Sequence, residues 1–176
     1  MESQPLLGCI VIRLPPKSYC MKITFLSVGK TDMGYLNEGI DTYRKRIQKY
    51  ATFELSQVPD LKNTRHLPTQ EVITREGQAI LQAIAPTDYL VLLDDRGKSY
   101  TSPDFAQYLL QLQLRNTKHL VFLCGGAYGF STAVYERANA QLSLSAMTFS
   151  HQLVRLVFME QLYRAFSILN NEPYHH

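Results

Sequence analysis

The chain has 176 residues, enough for one domain with a real hydrophobic core. Its 45% hydrophobic and 19% charged content excludes a disordered polypeptide, and its apolar runs are far too short to span a bilayer. A net charge of +3 is compatible with nucleic acid but too small to argue for it. Three widely spaced cysteines, Cys9, Cys20 and Cys124, exclude a disulfide framework and a zinc knuckle, which makes a reducing cytoplasm the default compartment.

Residues 1–20, "MESQPLLGCIVIRLPPKSYC", read apart from the rest. "LLGC" looks like a lipoprotein cleavage site, yet no basic segment and no apolar signal helix precede the cysteine. These residues read as an extension outside the fold, and "MKITFLSVGK" from Met21 makes a natural first strand ending at Gly29.

"YLNEGIDTYRKRIQKY" places Leu36, Ile40, Tyr43, Ile47 and Tyr50 at helical spacing, with Arg44, Lys45, Arg46 and Lys49 around the apolar stripe. Those cations suit phosphate contacts or an ordinary solvated face. "TFELSQV" alternates like a strand, and "PDLKNTRHLP" is a loop. "TQEVITREGQAILQAI" reads as a helix opening at Thr69, weakened by Gly77. "DYLVLLD" and "HLVFLC" are continuous apolar runs of strand length, as in buried parallel strands. Between them "SPDFAQYLLQLQL" starts a helix, with Ser102 as N-cap and Pro103 in the first turn. "STAVYERA" is a short helix capped by Ser131, "QLSL" a short strand, and "LVRLVFMEQLYRAFSIL" the last helix. Five alternations of strand and helix argue an α/β layered domain with a mostly parallel sheet.

Ligands of open α/β sheets sit beyond the carboxyl ends of the strands. Three such ends carry distinctive residues: "LLDDRGKSY", "FLCGGAYGF" and "LSLSAMTFSHQ". Gly125 and Gly126 would let a ligand approach the backbone, but neither a dinucleotide turn nor a Walker A loop is present. Loop backbone together with Leu93, Leu144 and Met147 suits a flat aromatic ring such as adenine. Read on spacing alone, the same segments also pass for ordinary turns.

From Met21 to His176 the chain resembles the RlmH family of bacterial SPOUT methyltransferases, which methylate N3 of a pseudouridine in 23S rRNA. The matching stretches are "MKITFLSVGK", "LDDRGK", "GGAYGF", "LSAMTF" with the following His and "LVR", "EQLYRAFSI" and "PYHH". The resemblance implies one SPOUT domain over 21–176, an α/β fold with a C-terminal trefoil knot, and a homodimer acting on the assembled ribosome. It also implies S-adenosylmethionine as cofactor, held by Leu93, Gly125, Gly126 and the run Leu144, Ser145, Ala146, Met147, Thr148 and Phe149. No metal and no membrane are implied. Ser150 departs from the family, where many relatives carry proline, as does Asp95, where relatives often carry an apolar residue.

The chemistry is an in-line displacement that positioning alone can accelerate greatly, plus loss of the N3 proton. The candidate catalytic residues are His151, Arg155, Tyr174 and His175. Arg155 lies one helical turn after His151 and is expected to hold a phosphate or stabilise a ring anion. His175 suits a base or a base-edge contact. In the last helix, Val154, Phe158, Leu162 and Phe166 form one apolar row and Leu153, Leu156 and Val157 another, so two sides are covered, which suits either a second subunit on one side or a deeply covered helix in a monomer. The competing readings are a nucleotide-binding α/β protein and a non-catalytic RNA-binding module. The first lacks its phosphate fingerprint, and the second would not need an intact cofactor loop.

Overall fold

The computed structural model describes residues 21–61 and 64–174. Five strands, β1 (Lys22–Val28), β2 (Thr52–Val58), β3 (Tyr89–Ser99), β4 (His119–Cys124) and β5 (Ala140–Ser143), form one sheet in the order β2-β1-β4-β3-β5. Every pairing is parallel. The helices are α1 (Gly34–Ile47), α2 (Thr69–Gln82), α3 (Ser102–Leu114), α4 (Thr132–Arg137) and α5 (Leu153–Leu169), and Thr64–His66 make a 3₁₀ turn inside the expected loop.

Strand periodicity divides the core in two. Ile23, Phe25, Val91, Leu120 and Phe122 point to the α1, α3 and α5 side, where the Phe158 ring lies tilted with its centroid 4.7 Å from both Phe25 and Phe122. Leu26, Val28, Leu90, Leu92, Val121 and Leu123 point to the other side and meet Ile80 of α2 and Val134 of α4. The continuous apolar runs of β3 and β4 are thus explained by burial on both faces.

Three local expectations change. The N-cap of α3 is Thr101, whose side chain accepts from the Asp104 N–H at 3.2 Å, so Ser102 takes the first helical position. Gly77 does not weaken α2. A Cβ there would collide with the Ser131 hydroxyl, so the glycine lets α2 lie close against α4. β3 does not stop at Asp94 but runs to Ser99, and Leu142 of β5 pairs with both Leu93 and Lys98. The stretch between closes over β5, where a Cβ on Gly97 would lie 2.6 Å from the Gln141 carbonyl carbon.

In α5 the two apolar rows are unequal. Phe158, Leu162 and Phe166 are buried, while Leu153 stays 39% exposed and Val154, Leu156 and Val157 are half-buried. Leu156 meets α1 at Gly39, where a Cβ would come within 2.8 Å of it.

Candidate active site

At the carboxyl ends of β3, β4 and β5 lies a cavity of about 430 Å³, within the range of small-molecule sites. Three chain segments build it. The end of β3 contributes Leu93, Asp94 and Asp95, the loop after β4 contributes Gly125, Gly126 and Ala127, and the segment after β5 contributes Leu144, Ser145 and Met147 through His151. Of the nine residues expected to hold a cofactor, eight line this cavity; Ala146 is exposed and does not. Hydrogen bonds shape the third segment: Ser143 donates to the Ser145 carbonyl at 3.0 Å, and Ser145 Oγ accepts from the Met147 N–H at 2.9 Å.

The two loop glycines also have a packing role. A Cβ on Gly125 would lie 2.8 Å from Phe130 Cε1, and one on Gly126 would lie 2.8 Å from Glu76 Oε2. Both vectors meet protein, so these residues let the loop sit tightly on Phe130 and α2. Gly129, at φ +79, needs a glycine's backbone freedom to turn the chain back toward Gly126.

The catalytic candidates separate. His151 lines the cavity. Arg155 does not: it is 2% exposed, and its guanidinium donates to the carbonyls of Val28 (2.6 Å), Gly29 (2.9 Å) and His151 (3.1 Å) and to Thr31 Oγ1 (2.9 Å). A phosphate or ring-anion contact was expected, but four of the five N–H donors of Arg155 bond neutral acceptors at the end of β1 and at His151. It positions, tying that end to the start of α5, where Gln152 Oε1 also accepts from the Asp32 N–H. Tyr174 lies back along α5, its ring 4.7 Å from Tyr163 and its hydroxyl 3.3 Å from both Tyr43 Oη and Glu160 Oε1. It is not a cavity residue of its own chain. His175 lies outside the described residues.

The electrostatics of the mouth went unread in the sequence. Burial works to raise the Asp94 carboxyl, but the Tyr135 hydroxyl and Arg96 outweigh it and hold the carboxyl below its usual range. Arg96 stays exposed and stacks on the Tyr135 ring at 5.2 Å. Glu76 has a buried oxygen with no hydrogen-bond partner, and burial, with Asp60 adding repulsion, raises its carboxyl. Burial also pushes the Cys124 thiol, behind the glycine loop, up to about 11, so it is not a thiolate nucleophile. On α1, Asp41 pairs with Arg44 and Lys45, and Arg46 lies over the Tyr43 and Tyr163 rings, while Lys49, just past the helix, has no ion pair among the described residues. No group of side chains suited to a metal ion exists among the described residues, and no described helix is long and apolar enough to cross a membrane.

The family model described as "Predicted SPOUT methyltransferase" matches residues 21–175. The chain is 52% identical over 156 residues to ribosomal RNA large subunit methyltransferase H of Parabacteroides distasonis, covering 89% of this chain and 99% of that one. It is 48% identical over the same length, with the same coverage, to the protein of that name from Christiangramia forsetii. A crystal structure of a methylase-family protein from Neisseria gonorrhoeae superposes with a TM-score of 0.51 at 18% identity, over 99% of this chain and 90% of that one, a likeness of fold alone. With the parallel sheet, the cavity at its strand ends and identity near one half over almost the whole described chain, this protein belongs to the SPOUT methyltransferase family.

Proposed function

We propose that the protein transfers a methyl group from S-adenosylmethionine to N3 of a pseudouridine in 23S rRNA of the assembled ribosome, as a cytoplasmic homodimer. The observation that carries this reading is the cavity itself, walled by Leu93, Leu142, Leu144 and Met147 and edged by the main chain of two loops. Apolar walls suit the faces of an adenine, and backbone N–H and C=O groups suit its polar edge. Asp95 at the cavity favours a ligand carrying positive charge, whereas the Asp94 carboxylate is already engaged by Arg96 and Tyr135.

S-adenosylmethionine supplies a methyl group on a sulfonium, open to in-line attack. The chain's task is to align the base nitrogen with that methyl and to accept the N3 proton. His151, which lines the cavity, takes the proton or contacts the base. Arg155 keeps the loop after β1 and the start of α5 in register behind it. Tyr174 and His175 act on the target base from a second copy, since in its own chain Tyr174 is held beside Glu160. The exposed Leu153 and the half-buried Val157 are the apolar surface that a second copy would cover.

The experiment is single-turnover methyl transfer to ribosomes lacking the modification, with mass spectrometry of the rRNA. Wild type should produce an N3-methylated pseudouridine. Deleting residues 174–176 should leave cofactor affinity within a few-fold and lower the rate by about two orders of magnitude or more. Sedimentation should give twice the chain mass, and a chain starting at Met21, where the family match begins, should retain activity. A clean monomer with full activity would remove the shared site, and an unmodified rRNA would remove the function.

A further inference from the structure

Just past the stretch that closes over β5, the chain forms a second groove. It has a volume of about 550 Å³, lies between Lys98–Tyr100 and the side of α3, and shares no lining residue with the first cavity. Lys98 and Arg115 both line it, are exposed, and pair with no carboxylate among the described residues. Two aromatic rings join them: Tyr100 and Tyr108 lie 5.4 Å apart at 30°, and Lys98 Nζ sits 4.7 Å from the Tyr100 centroid. The Tyr108 hydroxyl is buried, so the groove meets the ring rather than the polar tip. Gln107 and Gln111 supply exposed amides. The one carboxylate, Asp104, is engaged by the Thr101 hydroxyl at 2.6 Å within the cap of α3.

Cations, aromatic faces and uncharged amides in one groove are the chemistry that recognises single-stranded nucleic acid. Phosphates meet Lys and Arg, bases stack on aromatic rings, and amides read exposed base edges. The groove also adjoins the proposed reaction site, because Lys98 pairs with Leu142 and Leu142 lines the first cavity. We propose that this groove holds a single-stranded stretch of the substrate RNA flanking the target nucleotide, with Lys98 and Arg115 on phosphates and Tyr100 and Tyr108 under bases; this rests on the methyltransferase reading above.

The test compares wild type, the double variant Lys98→Glu/Arg115→Glu, and Tyr100→Leu in single-turnover methyl transfer over a range of unmodified ribosome concentrations. The charge reversal should raise the half-saturating ribosome concentration about tenfold or more and leave the saturated rate and S-adenosylhomocysteine affinity unchanged. It should also flatten the dependence of log affinity on log salt by about 1.4, at about 0.7 per single-strand phosphate contact. Tyr100→Leu should weaken ribosome binding several-fold with an unchanged salt slope. Ultraviolet crosslinking of wild type to ribosomes should attach nucleotides to the peptide carrying Tyr100 or Tyr108. Folded variants with wild-type half-saturation and salt slope, or crosslinks from this groove to a ribosomal protein, would overturn the assignment. Crosslinking still tests the groove if wild type transfers no methyl group, an outcome that would sink the catalytic reading alone.

Discussion

The two ends of the sheet bury polar groups in opposite ways. At the amino-terminal end, Thr24 Oγ1 lies 2.8 Å from His119 Nε2, and His119 Nδ1 lies 2.8 Å from Asp88 Oδ1. The other Asp88 oxygen accepts from the Ala85 N–H at 2.9 Å, and Arg137 donates to the Ala85 and Asp88 carbonyls, both at 2.8 Å. This chain has the spacing of a hydroxyl–imidazole–carboxylate relay. Yet Thr24 is 7% and Asp88 8% exposed, so no substrate reaches the hydroxyl, and the network is structural. At the carboxyl-terminal end a single buried guanidinium, Arg155, ties three carbonyls, and the adjoining loops present their main chain to a cavity. Catalytic-looking geometry therefore marks the closed end, and plain backbone marks the open one. Accessibility, not residue type, separates site from scaffold.

The largest expected effect is at the latch. Arg155→Ala would take the guanidinium from the buried Val28 and Gly29 carbonyls, costing about 3 kcal/mol or more in urea unfolding. Arg155→Lys should restore only part of this, since one ammonium cannot reproduce the planar fork. If Arg155 acted on substrate instead, both variants would keep wild-type stability and lose only turnover.

Gly125→Val comes next. The new side chain meets the Phe130 ring, so both unfolding free energy and cofactor affinity should fall, the first by about 1–3 kcal/mol and the second at least tenfold, about 1.4 kcal/mol. An affinity loss without a stability loss would mean that the glycine makes room for ligand rather than for Phe130. At the other end, His119→Ala should cost about 1–2 kcal/mol by unpairing Thr24 and one Asp88 oxygen, while S-adenosylhomocysteine affinity stays within two-fold. A binding defect there would erase the contrast between the two ends.

Glu76 gives the smallest effect and a sign. Its folded pKa is raised above the unfolded value near 4.5, chiefly by burial. Protonation of Glu76 therefore favours the folded state. Its contribution to stability is greatest below about pH 4.5 and is lost as pH rises through the folded pKa. Glu76→Gln should flatten this decline in unfolding titrations between pH 4 and 7. An unchanged profile would assign the decline to other groups.

Much of this was legible because parallel strands buried on both faces have no choice but to be apolar, and because α5 announces itself over Leu153–Leu169 with no breaker inside it. The run Leu144 to Phe149 has no periodicity; its position after a strand pointed to Leu144 and Met147, and the rest of the run was carried only by resemblance to a family. The extension of β3 through "DRGKS" was hidden, since Asp95, Arg96 and Gly97 read as a turn. Only the backbone of β5 pressed against Gly97 explains the glycine. The partners of Arg155 were hidden for a related reason. An arginine near a candidate site suggests phosphate, and its real partners, Val28 and Gly29, stand more than 120 positions away. For Gly77 the informative residue was Ser131, on an element that sequence proximity does not connect to it.

Hydrogen exchange with and without S-adenosylhomocysteine tests the central claim most directly, because it reads both ends of the sheet at once. Bound ligand should slow exchange at amides 125–127 and 144–151, the two loops that edge the cavity, and leave amides 85–90 and 119–121 at the closed end as they were. Protection confined to other segments, or none at saturating ligand, would contradict the assignment of this cavity as the methyl-donor site.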